Sequence, residues 1–287
     1  MRQEIIDLYD EYTHERLDRR VFMDRLAKMA GGTAAAAALV PMLEASYAKA
    51  AIVPADDPRV RIERITFEGG SGEVQGYLVQ PADASGPLPG VVVIHENRGL
   101  NPHIEDVARR TALEGFVALA PDFLSPQGGT PEDQDQAREM IGQLDRDQTT
   151  QDALAAVDFL KNHEAANGNA GVVGFCWGGG LANQVAVNSP DVGAVVPFYG
   201  RQPDAEDAAK IQAPLMLHYG GLDERINAGI PAYEQALKDA GVDYTIYIYE
   251  GANHAFHNDT SEARYDKDAA ELAWSRTIEF FKQHLAG

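Results

Sequence analysis

The sequence predicts an α/β domain built on a mostly parallel, doubly wound sheet with helices on both faces. Three observations carry that prediction. Short apolar runs recur along the chain, and Gly90-Val91-Val92-Val93-Ile94, the most β-branched, reads as a strand buried on both faces. Helical patterns alternate with these runs, which is the order that joins parallel strands by crossover helices. The runs end in short loops that carry polar residues, and in such sheets the site lies beyond the carboxyl ends of the strands.

The first fifty residues differ from the rest. Met1 to Asp18 is polar, with helical periodicity in Ile5, Leu8 and Tyr12. Arg19-Arg20, the alanine-rich run Ala34 to Val40 and Ala48-Lys49-Ala50 together resemble a twin-arginine export signal. The other reading of residues 1–55 is a retained helical extension packed on the domain or on a second subunit. The first reading places the mature protein in the periplasm and the second in the cytoplasm. The apolar run is too short to span a membrane and is interrupted by Pro41. Ala51 to Pro58 reads as a linker, so the α/β domain occupies residues 56–287.

Within that domain, Arg61 to Phe67 and Val74 to Val79 alternate apolar and polar residues around Glu68-Gly69-Gly70-Ser71-Gly72, a hairpin signal. The strand Gly90 to Ile94 follows, then a helix over Asn101 to Leu113 and a short strand over Phe116 to Ala120. Two polar helices are expected at Glu132 to Leu144 and Thr149 to Asn162. Gly171 to Phe175 is a buried strand, with a helix pattern from Leu181. Val192 to Phe198, Pro214 to Tyr219 and Tyr244 to Tyr249 are the last strands. Ala228 to Ala240 is a helix closed by Gly241, and an amphipathic helix runs from Glu262 to His284.

Length and charge bound the function. The 287 residues suffice for one large domain with a full core. The net charge of −20 argues against nucleic acid or an anionic membrane as partner. The single cysteine excludes an intrachain disulfide, and no spacing along the chain marks a metal site; His254-x-x-His257 alone is weak. A homo-oligomer is left open.

The only cysteine lies in Gly174-Phe175-Cys176-Trp177-Gly178-Gly179-Gly180, between a strand and a helix. This is the Gly-x-Ser-x-Gly nucleophile elbow with sulfur in place of oxygen. Glycines let backbone pass close to the strained turn, and the following helix N-terminus favours a thiolate. Asp223 and His254 each follow a later strand, so the chain order is nucleophile, acid, histidine. Cys176 reads as the nucleophile, His254 as its base and Asp223 as the group that orients the imidazole. The N–H of Trp177, and that of Asn97 after the third strand, are the oxyanion donors expected.

These residues, with His95-Glu96-Asn97-Arg98-Gly99 and Gly251-Ala252-Asn253-His254-Ala255-Phe256, resemble the dienelactone hydrolase (carboxymethylenebutenolidase) family of the α/β-hydrolase fold. The resemblance runs from Arg61 to the C-terminus. It implies a lactone or carboxylic-ester hydrolase that acts on a small molecule through a Cys-His-Asp triad and a thioester, with no metal or organic cofactor. It also implies that Glu96 holds the resting thiol. The family binds a substrate carboxylate with two arginines. One corresponds loosely to Arg138, and the other falls at Asn258, where no guanidinium is present; Arg98 is a substitute. With the acidic net charge, the expectation is a less charged lactone or ester. Other enzymes on this scaffold (acyltransferases, peptidases) and a non-catalytic binding protein are the alternatives.

Overall fold

The computed structural model describes residues 1–15, 17–46 and 51–286. Eight strands form one sheet in the order β1-β2-β4-β3-β5-β6-β7-β8. They are β1 (Val60–Glu68), β2 (Glu73–Pro81), β3 (Leu88–Ile94), β4 (Val117–Asp122), β5 (Ala166–Phe175), β6 (Ala194–Phe198), β7 (Leu215–Gly220) and β8 (Tyr244–Tyr249). The hairpin β1–β2 is antiparallel, and β2 lies antiparallel to β4; from β4 through β8 every pair is parallel. This is the α/β-hydrolase sheet.

Alternation along β3 shows why its run is apolar throughout. Val91 and Val93 face a core shared with α4 (Pro102–Leu113) and α10 (Lys267–Leu285), through Val107, Ile278 and Phe281. Val92 and Ile94 face the opposite core, shared with α6 (Arg146–Lys161), α7 (Trp177–Asn188) and α9 (Ile230–Ala240), through Leu160, Val185 and Leu237. A strand covered on both faces has no position for a polar residue.

Three helices precede the sheet: α1 (Gln3–His14), α2 (Arg19–Ala30) and α3 (Thr33–Leu43). They share a small core of their own, including Tyr9, Tyr12, Phe22, Leu26, Val40 and Leu43, with Ala263 of the main domain against it. Arg19 and Arg20 open α2, where Asp18 caps the Arg20 N–H at 2.8 Å. Pro41 does not end α3; it falls in the last turn, and the helix runs on to Leu43. Among the described residues no single helix is long and apolar enough to cross a membrane. Ala48-Lys49-Ala50 lies outside the described residues.

Several boundaries differ from the sequence expectation. The helix after the elbow starts at Trp177, four residues earlier than Leu181, because three glycines of poor helix propensity form its first turn. The helix expected over Ala228 to Ala240 is preceded by a separate short one, α8 (Glu224–Asn227), and α9 begins at Ile230 with Pro231 in its first turn. The C-terminal helix starts at Lys267, capped by Asp266, and residues 250–266 instead form turns over the sheet rim. The remaining helix, α5 (Gln134–Ile141), is shorter than expected and lies beside the same rim.

Candidate active site

Cys176 sits at the junction of β5 and α7 with φ of 57°. Among the described residues two other non-glycine residues share positive φ, Tyr199 after β6 and Ala255 beside His254, so the strained backbone of this kind that is described lies at one rim. Gly174 and Gly178 make the elbow possible. A Cβ on Gly174 would come within 2.1 Å of the Gly178 carbonyl oxygen, and one on Gly178 within 2.4 Å of the His95 oxygen. The Cys176 N–H donates to the Phe198 carbonyl at 3.0 Å, which ties the turn to β6. Trp177 is the first residue of α7, so its N–H has no partner inside the helix. Its ring stacks on His95 at 5.2 Å and meets Phe123 edge-on, which fixes the β3 loop beside the elbow.

The turns after β7 and β8 bring Asp223 and His254 together. His254 Nδ1 lies 2.5 Å from Asp223 Oδ2, and Asp223 Oδ1 also accepts the Ile226 N–H at the start of α8. The capping role and the imidazole contact therefore coexist, one on each oxygen. Burial of His254 disfavours its cation, but Asp223 and the sulfur of Cys176 outweigh that and hold its pKa up at about 10. His254 Nε2 is buried and has no hydrogen-bond partner among the described residues.

Glu96 is occupied by other groups. Its Oε2 accepts from Asn258 Nδ2 at 2.7 Å and its Oε1 faces the Tyr199 hydroxyl at 3.4 Å. Burial and the nearby Glu96 push the Tyr199 phenol well above its ordinary pKa, so it remains a donor. Asn258 in turn accepts from the Thr260 N–H and hydroxyl at 3.1 and 2.6 Å. The position expected to lack a substrate-binding guanidinium is a buried link between Glu96 and the following turn.

The N-terminal helices cover this rim, which the sequence did not suggest in such detail. His14, the last residue of α1, places Nε2 3.1 Å from Cys176 Sγ, and its ring packs edge-on to His254 at 4.4 Å. Asn97 Nδ2 donates to the Thr13 carbonyl at 2.9 Å. Arg138 donates to the Tyr12 carbonyl and lies over the Tyr12 ring at 4.2 Å, so α1 takes up the arginine expected for substrate. Arg98 donates to the Gln134 carbonyl at 2.7 Å and pairs with Asp135. Arg264 pairs with Asp10 at 3.2 Å and lies over Tyr9.

Several spaces adjoin Cys176, and one of about 370 Å³ is also lined by Trp177, Leu181 and Gln184. A small one of about 20 Å³, bounded by His14, Glu96 and Arg264, has room for little more than a water. An open cleft of about 600 Å³ is lined by Cys176, His254, Trp177 and Tyr199 together with Arg138, Arg146, Arg201 and Arg225. The sequence reading missed His14, Tyr199, Arg264 and the last three arginines. Tyr199 follows a strand end, which was a usable signal; the others lie in helices or loops with no motif.

Comparison with known proteins agrees with this fold. The dienelactone hydrolase family model matches residues 74–285, and a YqhI-like model matches residues 1–32. The chain is 36% identical over 234 residues to protein usf of Aquifex pyrophilus, covering 78% of this chain and 99% of that protein. It is 33% identical over 224 residues to a provisionally named carboxymethylenebutenolidase of Escherichia coli O157:H7, covering 72% and 82%. Among solved structures it resembles the dienelactone hydrolase-like promiscuous phosphotriesterase P91 from metagenomic libraries, with a TM-score of 0.72 and 26% identity over 79% of this chain and all of that one. A family model spanning most of the chain, on a sheet whose rim gathers Cys176, Asp223 and His254, means that this protein belongs to the dienelactone hydrolase family of lactone and ester hydrolases.

Proposed function

We propose that the chain hydrolyses a small, carboxylate-bearing lactone or ester through Cys176, His254 and Asp223. The observation that carries this reading is the 2.5 Å contact between His254 Nδ1 and Asp223 Oδ2, with the buried Nε2 left unpaired on the side of Cys176. His254 Nε2 takes the thiol proton, and the raised imidazole pKa favours the resulting thiolate–imidazolium pair. The thiolate attacks the acyl carbon, and the N–H groups of Trp177 and Asn97 receive the oxyanion. Collapse expels the alkoxide, which takes the proton from His254 and leaves a thioester. Water, deprotonated by His254, then releases the acid and restores the thiol.

Arginines around the open cleft support an anionic substrate despite the net charge of −20. A local cluster of guanidiniums governs the field within a Debye length, and it binds carboxylates bidentately. Packing of α1 against the rim supports a retained extension over an export signal, and sequencing the mature N-terminus tests this. The hydrolytic reading is tested by steady-state turnover of a dienelactone beside a neutral short-chain ester. The expected result is a higher kcat/KM for the dienelactone and loss of both activities in Cys176→Ala. Full turnover by Cys176→Ala would remove the thioester mechanism, and preference for the neutral ester would remove the anion site.

A further inference from the structure

We propose that His14, Cys176 and His254 form a binding site for a zinc-like cation that joins the N-terminal segment to the nucleophile. Their ligand atoms, two imidazole nitrogens and one sulfur, lie within 4.8 Å of one another. His14 Nδ1 lies 3.0 Å from the Asp10 carbonyl oxygen, which can only accept, so that nitrogen carries the proton and Nε2 presents a lone pair towards the sulfur. His254 Nδ1 is fixed by Asp223, and its Nε2 is buried without a hydrogen-bond partner among the described residues. Two imidazoles oriented from behind, one by a carboxylate and one by a backbone carbonyl, are the outer support that metal-binding histidines normally have.

Zinc bonds of about 2.3 Å to sulfur and about 2.0–2.1 Å to nitrogen place neighbouring ligand atoms roughly 3.3–3.6 Å apart in a tetrahedron. The 3.1 Å between His14 Nε2 and Cys176 Sγ is slightly short of this, and small side-chain rotations open it. One thiolate with two imidazoles suits zinc or copper better than the hard cations. All three ligands also line the open cleft, from which water would fill a fourth position. The ligands come from three separate parts of the chain, His14 and Cys176 standing 162 positions apart, so no sequence spacing signals them. A bound cation would occupy both the nucleophile and its base. It would stop hydrolysis and pin α1 over the site.

Binding does not depend on whether the triad hydrolyses esters, so it is measured without substrate. The full chain, stripped with chelator, is titrated with Co²⁺ and then with Zn²⁺ in competition. The expected result is one equivalent of Co²⁺ with sulfur-to-cobalt charge-transfer absorption in the near ultraviolet, displaced by Zn²⁺. Cys176→Ser should remove that band. His14→Ala should weaken binding by more than the roughly 10–100-fold typical of losing an outer-shell partner. Absence of a thiolate band in the parent protein, or equal affinity in a folded His14→Ala or His14→Gln protein, would overturn the site. In that case the 3.1 Å contact is a hydrogen bond to the resting thiol and nothing more.

Discussion

Asn258 donates an N–H to Glu96 across 2.7 Å, in a part of the rim where both side chains are buried. The amide stands where the family resemblance places an arginine, and it serves a carboxylate of the protein itself. Replacing it with alanine leaves one carboxylate oxygen without its donor and a cavity beside it. Asn258→Ala should lower stability by about 1–3 kcal/mol, the usual cost of a buried polar group left unpaired. Urea denaturation of the two proteins measures this. A change below about 0.5 kcal/mol would mean that water replaces the amide at no cost.

The link between Asp10 and Arg264 holds α1 over Cys176. Burial pushes the Asp10 carboxyl up, opposed by the Arg264 guanidinium 3.2 Å away. Asp10→Ala removes the only charged hydrogen bond from α1 to the turn after His254 among the described residues, worth about 1.5–3 kcal/mol. If Cys176 becomes reachable when α1 lifts, its alkylation rate follows the open population. The rate should then rise by about ten- to a hundredfold in Asp10→Ala. An unchanged rate would show that reagent reaches the thiol through the open cleft with α1 in place.

Most of the sheet was readable in the sequence because a strand covered on both faces must be apolar, as Val91 to Ile94 and Val172 to Phe175 are. Cys176, Asp223 and His254 were readable for a related reason: each follows a strand, and the topology brings such residues to one rim. What the sequence did not disclose is what their neighbours do. Asn258 and Arg138 were matched to the family's carboxylate site, the first as a missing guanidinium, but which protein groups they meet depends on tertiary contacts that carry no periodicity. His14 shows the same limit. The helical pattern in Ile5, Leu8 and Tyr12 indicates a helix, but not which surface that helix covers or that its last residue reaches the nucleophile.

Arg201 and Arg225 are exposed at the open cleft, and neither is in an ion pair among the described residues. If they receive the carboxylate of an anionic substrate, Arg225→Gln and Arg201→Gln should each raise KM for it by about 3- to 30-fold, with a much smaller effect on kcat. That pattern is the loss of binding shared by ground state and transition state. Turnover of a neutral ester should be nearly unaffected. Equal losses on charged and neutral substrates would assign these arginines to the shape of the cleft and not to its charge.

His218 makes the fold sensitive to acid. It is fully buried between β7 and α10, where Nε2 faces Thr277 Oγ1 at 3.2 Å and Nδ1 faces the Tyr249 hydroxyl at 2.9 Å. Thr277 donates to the Ala273 carbonyl, so its oxygen accepts the Nε2 proton, and Nδ1 accepts from Tyr249. Tyr249 in turn accepts from Arg276. The chain of donors has no room for a second proton on the ring. Burial first, and then the Arg276 charge, lower the His218 pKa to about 3. An unfolded histidine titrates near pH 6.5, so below that pH the unfolded chain binds a proton that the folded protein refuses. Stability is therefore full above about pH 6.5 and falls with acidification until the folded ring also titrates near pH 3. Between pH 6.5 and 4.5 this residue alone should remove about 2 kcal/mol. Glutamine can keep one donor and one acceptor without titrating, so His218→Gln should flatten the profile by that amount. Denaturation in urea at pH 6.5, 5.5 and 4.5 measures both slopes, and parallel profiles for the two proteins would show that His218 does not set the acid response.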